Sequence, residues 1–194
     1  MAGFSYIPNE QYFPDFLKLS QDVFVDAGGY DGQTSLQFIA HCPDYKAVYL
    51  FEPSSANLAM AKNNLSGHSN INFINKGLSS EPAELGFISG DGPASKFSPL
   101  GDMKICVDAL DRLVTEEITF FKIDIEGGEA SAIEGARQHI LKSHPKLAIA
   151  VYHKPEDFWA IPEQILSIRD DYDVHMRHYT EGTDETVMYF LPRP

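Results

Sequence analysis

The feature that most constrains the fold is a regular alternation between short apolar runs and segments with helical spacing. Five runs bounded by Gly, Asp or Pro are typical of buried strands: residues 22–26, 47–52, 72–75, 119–125 and 146–152. Apolar residues recur at helical spacing in four other segments, within residues 36–40, 58–65, 133–140 and 158–168. Strands that are apolar throughout and alternate with amphipathic helices predict an α/β chain whose mostly parallel sheet is covered on both faces.

The tail of the chain and one internal segment depart from this alternation. Residues 173–179 and 186–191 are strand-like runs joined by the short turn EGTDE, which predicts an antiparallel hairpin at one sheet edge. Residues 79–102 are predicted to be a loop with one short strand at 84–88. With 194 residues, no internal repeat and no linker, the chain is predicted to form a single domain over 1–194, in which 1–21 are a helical lead-in.

The charge balance argues against a nucleic-acid partner, because 15 basic and 28 acidic residues give a net charge of −13. The two cysteines, Cys42 and Cys106, are too few for a disulfide framework. The sequence contains no run of 18 apolar residues, which is the length needed to cross a membrane. We therefore expect a cytoplasmic protein that acts away from the membrane.

The sharpest motif is VDAGGYDGQTS at residues 25–35, where a buried strand ends in Asp26 and passes through Gly28, Gly29 and Gly32 into a helix. Such a turn lets the backbone and the positive end of the helix approach a ligand closely. Ligands of parallel sheets bind beyond the carboxyl ends of the strands, so the position agrees with a binding role. A tight turn required only by packing is the alternative.

A second acidic residue, Glu52, ends the next strand in the segment FEPSSANL. A carboxylate at this place commonly accepts hydrogen bonds from a ribose diol, which favours a nucleoside ligand. The G-x-G-x-x-G fingerprint of dinucleotide enzymes is absent, since the match is only Asp26-x-Gly28-x-x-x-Gly32. The alternative for Glu52 is a solvated carboxylate at a helix start.

Three carboxylates crowd the end of the strand in FFKIDIEGGE: Asp124, Glu126 and Glu129. Clustered carboxylates repel one another, so the group predicts a cationic partner: a sulfonium, an ammonium or a divalent metal. The alternatives are that Glu129 favours the start of its helix and that Glu126 is merely exposed.

A histidine, His153, follows the next strand in AIAVYHKPEDFW and is predicted to face the same cleft. An imidazole that titrates near neutrality can accept a proton from a substrate hydroxyl. A hydrogen-bonded packing role is the alternative for His153. Asp157 and Trp159 either line the acceptor site or serve as a helix N-terminal acid and a packing aromatic.

Together these four stretches resemble the FkbM-type methyltransferases, a family within the Rossmann-like, S-adenosylmethionine-dependent class. The resemblance covers residues 23–191 and lies in VDAGGYDGQT, FEP, KIDIEGGE with the later GAR, and YHKPEDFW. Gly29 and Tyr30 stand where many relatives carry Ala and Asn. The resemblance implies a doubly wound Rossmann-like fold and methylation of a hydroxyl on a sugar or secondary metabolite.

The resemblance also implies roles for individual residues. The methionine moiety of S-adenosylmethionine would lie among Asp26, Gly28, Gly29, Tyr30, Asp31 and Gly32. Glu52 would hold the ribose hydroxyls, and Asn75 and Lys76 would lie near the adenine. Asp124, with Glu126 beside it, would face the methionine amine or the transferred methyl group.

The predicted catalytic residues are His153 and Asp124, with His153 preferred as the base that takes the acceptor's proton. No metal is assigned, although a Mg²⁺-assisted reaction through Asp124 and Glu126 is an alternative. Two other functions stay open: a nicotinamide-dependent dehydrogenase, and a non-catalytic module that binds a nucleoside or a partner protein. The acceptor and the oligomeric state cannot be read from the sequence.

Overall fold

The computed structural model of the chain describes residues 10–88, 96–97 and 103–193. Its strands are β1 (Val23–Ala27), β2 (Ala47–Phe51), β3 (Ile71–Ile74), β4 (Gly77–Leu78), β5 (Ala83–Ile88), β6 (Lys96–Phe97), β7 (Met103–Asp108), β8 (Phe120–Ile123), β9 (Lys146–Ala150), β10 (Tyr172–His178) and β11 (Thr186–Pro192). Its helices are α1 (Gln33–His41), α2 (Ser55–Asn64), α3 (Leu110–Leu113), α4 (Glu129–Gly135), α5 (Arg137–Ser143) and α6 (Asp157–Ile168).

The main sheet has seven strands in the order β10-β11-β9-β8-β1-β2-β3. β1 pairs in parallel with β2 and β8, and the parallel pairing continues to β3 on one side and β9 on the other. β11 runs antiparallel to both β9 and β10. The predicted parallel sheet and its antiparallel hairpin at one edge are therefore confirmed, and the strands that precede the four sequence motifs end at the same edge of the sheet.

Both faces of the sheet are buried, which explains why its strands are apolar throughout. Along β1, Val23 and Val25 pack into one apolar cluster with residues of α4 to α6, such as Ile133 and Ile161. Phe24 faces the opposite cluster, which contains residues of α1 and α2. Within the part of the chain that the structure describes, no helix has both the length and the apolar character needed to cross a membrane.

A second sheet, in the order β4-β7-β5-β6, is formed by part of the region predicted to be mainly loop and by the residues that flank it. The short strand expected at residues 84–88 is present as part of β5, but the prediction missed β4, β6 and β7. In β7, Ile105 and Val107 are buried whereas Lys104 and Cys106 are exposed, which is the period-two pattern of a half-buried strand. Residues 89–95 and 98–102 of the predicted loop lie outside the described residues.

The third predicted helix is in fact two helices, because α4 ends at Gly135 and α5 starts at Arg137. Ala136 between them has φ −107° and ψ 9°. The carboxylate of Asp111, in α3, accepts the backbone N–H groups of Gln138 (2.8 Å) and His139 (3.1 Å). This contact satisfies the first N–H groups of a new helix, and nothing near α5 in sequence predicts it.

The predicted N-terminal helix is not observed in residues 10–21, which form turns instead. Tyr12 and Gln21 have left-handed backbone angles, with φ of 70° and 52°, that are incompatible with a right-handed helix. Phe13 and Leu17 are buried in the apolar cluster beneath α1, so side-chain packing holds the segment in place. Residues 1–9 of the predicted lead-in lie outside the described residues.

Candidate functional site

The residues selected from the sequence come together at the carboxyl edge of the main sheet. Asp26 lies near the end of β1, Glu52 directly follows β2, and Asp124 directly follows β8. His153 lies three residues beyond the end of β9. Because these strands are parallel neighbours, the residues that follow them share one rim, which is where ligands of open α/β sheets bind.

The glycine turn after β1 is braced against the neighbouring strands. The backbone N–H groups of Gly28 and Gly29 both donate to the carbonyl of Phe51, over 3.1 and 3.0 Å. Gly28 has a φ of 78°, and a Cβ atom there would lie 1.9 Å from the carbonyl oxygen of Asp124. Close backbone packing therefore requires glycine at this position, whatever the turn binds.

A buried ion pair lies under the same turn. Lys122, on β8, places its Nζ 3.1 Å from Oδ1 of Asp26, whose other oxygen accepts the Ser35 hydroxyl at 2.7 Å. The same Nζ donates to the carbonyl oxygens of Ala27 (3.0 Å) and Gly28 (2.9 Å). The Asp26 side chain is fully buried. Its carboxylate stabilises the turn indirectly, by pairing with the Lys122 amine that donates to the turn carbonyls.

Lys122 was not among the residues selected from the sequence, although a lysine inside the otherwise apolar strand FFKI is a usable signal. A buried lysine needs a partner, and here that partner is Asp26 on the adjacent strand β1.

Glu52 joins the glycine turn to the start of α2. Its Oε2 accepts the backbone N–H of Tyr30 at 3.1 Å, and its Oε1 accepts that of Ser54 at 2.8 Å. Burial raises the pKa of Glu52 above its ordinary value, although these N–H groups favour the charged form. The residue is only 6% exposed. A carboxylate has about four acceptor positions, so capacity remains for a ligand hydroxyl.

The two residues predicted near an adenine point in different directions. Asn75 donates from Nδ2 to the carbonyl oxygens of Glu52 (3.0 Å) and Pro53 (2.9 Å), so it lies beside the predicted ribose site. Lys76 forms an ion pair of 2.9 Å with Asp108 at the end of β7. Its amine is therefore held towards the second sheet.

The other two residues of the turn lie at its surface. The ring of Tyr30 is half exposed. Oδ1 of Asp31 accepts the N–H of Gln33, the first residue of α1, at 3.1 Å.

Two tyrosine hydroxyls meet the carboxylate of Asp124. Tyr12 donates to Oδ2 at 2.6 Å and Tyr152 donates to Oδ1 at 3.3 Å. Burial, reinforced by the charge of Asp124, raises the pKa of both tyrosines above the ordinary value of 10.0. Both phenols therefore stay protonated and act as hydrogen-bond donors.

His153 lies between carboxylates on both sides of its ring. Nδ1 is 2.9 Å from Oε1 of Glu129, and Nε2 is 3.4 Å from Oδ1 of Asp124 and 3.6 Å from Oε2 of Glu126. Burial lowers the pKa of His153, but the proximity and charge of Glu129 oppose this effect most strongly. The charges of Asp124 and Glu126 add to it, so the net pKa lies above the ordinary 6.5.

One atom each from Asp124, Glu129 and His153 lie within 4.8 Å of one another, a spacing that a divalent ion can bridge. The oxygens of Asp124 already accept tyrosine hydroxyls. Oε1 of Glu129 accepts the backbone N–H groups of Ile125 (3.0 Å) and Gly127 (3.3 Å). A metal would compete with these hydrogen bonds, so the geometry favours a hydrogen-bonded network.

The rim also includes groups that sequence analysis missed. Tyr12 comes from the segment before β1, and Glu185 comes from the turn between β10 and β11. Burial raises the pKa of Glu185; Gln11, which contacts its carboxylate, opposes this, and the charge of Asp124 adds to it. Neither segment carries a recognisable motif, so no local signal indicated that they reach the site.

The start of α6 places one of the two suggested acceptor-site residues at the surface. Trp159 is 58% exposed, whereas Asp157 is buried. Burial raises the pKa of Asp157, with a further contribution from the charge of Glu129. An exposed indole can provide a flat apolar surface for a ligand, whereas the carboxylate of Asp157 is buried at the start of α6.

The strand order of the main sheet, together with the solved structures that are similar to this chain, defines the class I methyltransferase fold. An rRNA methylase from Streptococcus thermophilus has a TM-score of 0.56 at 16% identity, covering 89% of this chain and 87% of that chain. Fibrillarin from Aeropyrum pernix, solved with natively bound S-adenosyl-L-methionine, has a TM-score of 0.57 at 13% identity, covering 89% of this chain and 67% of that chain. At these identities the likeness establishes the fold alone.

Two further comparisons establish the family. The family model described as the methyltransferase FkbM domain matches residues 26–182. A methyltransferase FkbM from Methylobacillus flagellatus KT has a TM-score of 0.82 at 31% identity, covering 94% of this chain and 47% of that chain. The chain belongs to the FkbM methyltransferase family, and it spans 47% of the length of that relative. No curated protein sequence matches the chain.

Proposed function

We propose that this domain transfers a methyl group from S-adenosylmethionine to a hydroxyl oxygen of a sugar or other small metabolite. Family membership supports S-adenosylmethionine as the cofactor. The observation that carries the proposal is the placement of Glu52, Asp124 and His153 after parallel strands at one sheet edge. This arrangement provides a nucleoside contact, an anionic contact for a sulfonium and a proton acceptor along one rim.

We assign the donor contacts by position along the rim. Glu52 accepts hydrogen bonds from the ribose hydroxyls, and Asn75, which donates to the Glu52 carbonyl, lies on the adenine side. Lys76 follows it in sequence, but its amine is held away from the adenine by Asp108. The methionine moiety lies along the turn formed by Asp26, Gly28, Gly29, Tyr30, Asp31 and Gly32. Asp124 and Glu126 stabilise the positive charge of the methionine amine and the sulfonium.

The chemical step is an in-line displacement. When bound, S-adenosylmethionine would supply an electrophilic methyl group: a C–O bond to the acceptor oxygen would form as the S–C bond breaks, with its electron pair returning to sulfur. The acceptor's proton passes to Nε2 of His153, because an alcohol is a poor nucleophile at neutral pH unless a base removes its proton as the bond forms. The products are a methyl ether, S-adenosylhomocysteine and a protonated His153.

The composition supports a small-molecule or glycan acceptor over nucleic acid, since a net charge of −13 repels a phosphate backbone. Cys42 and Cys106 are both free thiols, which supports the cytoplasm as the compartment.

The direct test incubates the purified chain with methyl-labelled S-adenosylmethionine and pools of hydroxylated metabolites. Mass spectrometry should detect an acceptor that gains one labelled methyl group, together with an equal amount of S-adenosylhomocysteine. Binding of the donor without label transfer to any hydroxyl, or transfer only to nitrogen or carbon, would contradict O-methylation.

Calorimetry separates the two competing functions from this one. A methyltransferase should bind S-adenosylhomocysteine and not NAD. Binding of NAD alone would favour a dehydrogenase, and binding of neither would favour a non-catalytic module on the same fold.

The Glu52→Ala variant should bind S-adenosylhomocysteine more weakly by about 1–3 kcal/mol, because the ribose hydroxyls lose their buried acceptor. This range corresponds to an increase in Kd of roughly five- to 150-fold, measured by calorimetry. Glu117→Ala is the matched control, since it removes the same group from an exposed position. Equal affinities of the two variants would exclude Glu52 from the ribose site.

Chelation distinguishes the general-base reaction from the metal-assisted alternative. Activity should be unchanged after treatment with EDTA, because His153 accepts the proton without a metal ion. Loss of label transfer in EDTA that added Mg²⁺ restores would instead assign Asp124 and Glu126 to a metal.

A further inference from the structure

We propose that Glu129 is the positioning residue for His153: through Nδ1 it fixes the ring so that Nε2 is the atom that takes the acceptor's proton. This inference rests on the proposed function, because it assigns a partner to the proposed base. Its structural part, the tautomer and proton affinity of His153, can be tested without any methyl acceptor.

The carboxylate of Glu129 is held rigidly. Glu129 is the first residue of α4 and is 1% exposed. Its Oε1 accepts backbone N–H groups from Ile125 and Gly127, on the turn that joins β8 to α4. Because backbone donors fix this oxygen, it provides a stationary point against which the imidazole of His153 can be oriented.

The position of that oxygen determines which ring nitrogen is available. Oε1 of Glu129 is 2.9 Å from Nδ1 of His153, an ion-pair distance, although Nδ1 makes no hydrogen bond to the described residues. The negative charge of this oxygen favours a proton on Nδ1, which leaves the lone pair of a neutral ring on Nε2. Nε2 lies on the side of Asp124 and Glu126, both of which are partly exposed at the rim. The nitrogen that can accept a proton is therefore the one that faces the proposed acceptor.

A capping role alone does not account for the charge of Glu129. Its Oε2 is buried and makes no hydrogen bond to any residue that the structure describes, which is costly for an ionised carboxylate. A neutral glutamine could accept the same two backbone N–H groups at the smaller cost of a buried, unpaired amide. The negative charge gains a partner when His153 becomes protonated, which is the state that follows proton transfer.

Several charged groups face this pair from the elements packed around it. They are Asp124 and Glu126 after β8, Glu185 before β11, Asp157 at the start of α6 and Lys154 next to His153. Lys154 donates to the carbonyl of Gly127. The other groups are carboxylates, so they also favour a protonated ring. Of the groups that face His153, Glu129 is the one that lies beside Nδ1.

Long-range ¹H–¹⁵N NMR of the imidazole nitrogens tests the proposal on the unliganded protein. In the wild type, neutral His153 should carry its proton on Nδ1, and the ring should titrate above 6.5. In Glu129→Gln the proton affinity of His153 should fall by about tenfold or more, because the nearest compensating charge is removed.

Glu134→Gln is the matched control, since it removes one carboxylate from an exposed position on the same helix, α4. It should leave the titration of His153 unchanged. A wild-type ring with its proton on Nε2 would overturn the proposal even if Glu129→Gln fails to fold. An unchanged titration in a folded Glu129→Gln would overturn it as well.

An acceptor found in the labelled-donor screen extends the test to catalysis. Glu129→Gln should lower kcat and move the acidic limb of the pH–rate profile to lower pH, with the KM for S-adenosylmethionine within about twofold of wild type. A change in donor KM alone would overturn the positioning role. Absence of methyl transfer in the wild type would defeat the proposed function, and the NMR result would still decide the pairing of Glu129 and His153.

Discussion

Replacing Lys122 with methionine is expected to lower the free energy of unfolding by about 3–5 kcal/mol, because it leaves the carboxylate of Asp26 buried without a compensating charge. Lys122 lies 3.1 Å from Asp26, and both side chains are buried between β1 and β8. The substitution also removes the donor to the carbonyl oxygens of Ala27 and Gly28. Urea denaturation followed by circular dichroism measures the change.

Two controls separate the charge from the loss of a side chain. The double variant Asp26→Asn with Lys122→Met removes both buried charges and should recover most of the lost stability. Arg137→Met breaks an exposed ion pair with Glu134 and should change stability by less than about 0.5 kcal/mol. A Lys122→Met protein as stable as Arg137→Met would show that Lys122 does not neutralise Asp26.

The fold was predictable to the extent that it follows from local patterns. The apolar runs give the five core strands of the main sheet, and the helix-free tail gives the edge hairpin formed by β10 and β11. Apart from the strand at residues 84–88, the second sheet was missed because the Gly- and Ser-rich sequence around it resembles a loop, even though Ile105 and Val107 alternate with polar or exposed neighbours. The break between α4 and α5 depends on the distant Asp111, which no local pattern encodes.

The candidate site divides in the same way. Residues that directly follow a strand, such as Glu52 and Asp124, were found because parallel strands deliver their carboxyl ends to one rim. The groups that contact them were not found, since Tyr12 and Glu185 reach the rim from segments far away in sequence. The sequence therefore predicted which carboxylates lie at the rim. The groups that donate hydrogen bonds to each carboxylate are determined by tertiary contacts and could not be predicted from it.

Substitution of His153 by alanine should lower turnover by roughly 100-fold, because it removes the proposed general base. The alanine variant keeps the glycine turn and Glu52, so its affinity for S-adenosylhomocysteine should stay close to that of the wild type. Turnover is measured with the acceptor identified by labelled transfer, and donor affinity by calorimetry. His68→Ala is the matched control because His68 is exposed and lies after α2, away from the rim.

The pH dependence of the wild type provides a second measure of the same role. A general base works only when it is unprotonated, and the pKa of His153 lies above 6.5 because nearby carboxylates outweigh the effect of burial. Turnover should therefore rise with pH through this raised pKa and fall on the acidic side of it. His153→Ala should lose this acidic limb, whereas His68→Ala should retain it. Unchanged turnover in His153→Ala, or a limb that persists in that variant, would assign the proton transfer to another group.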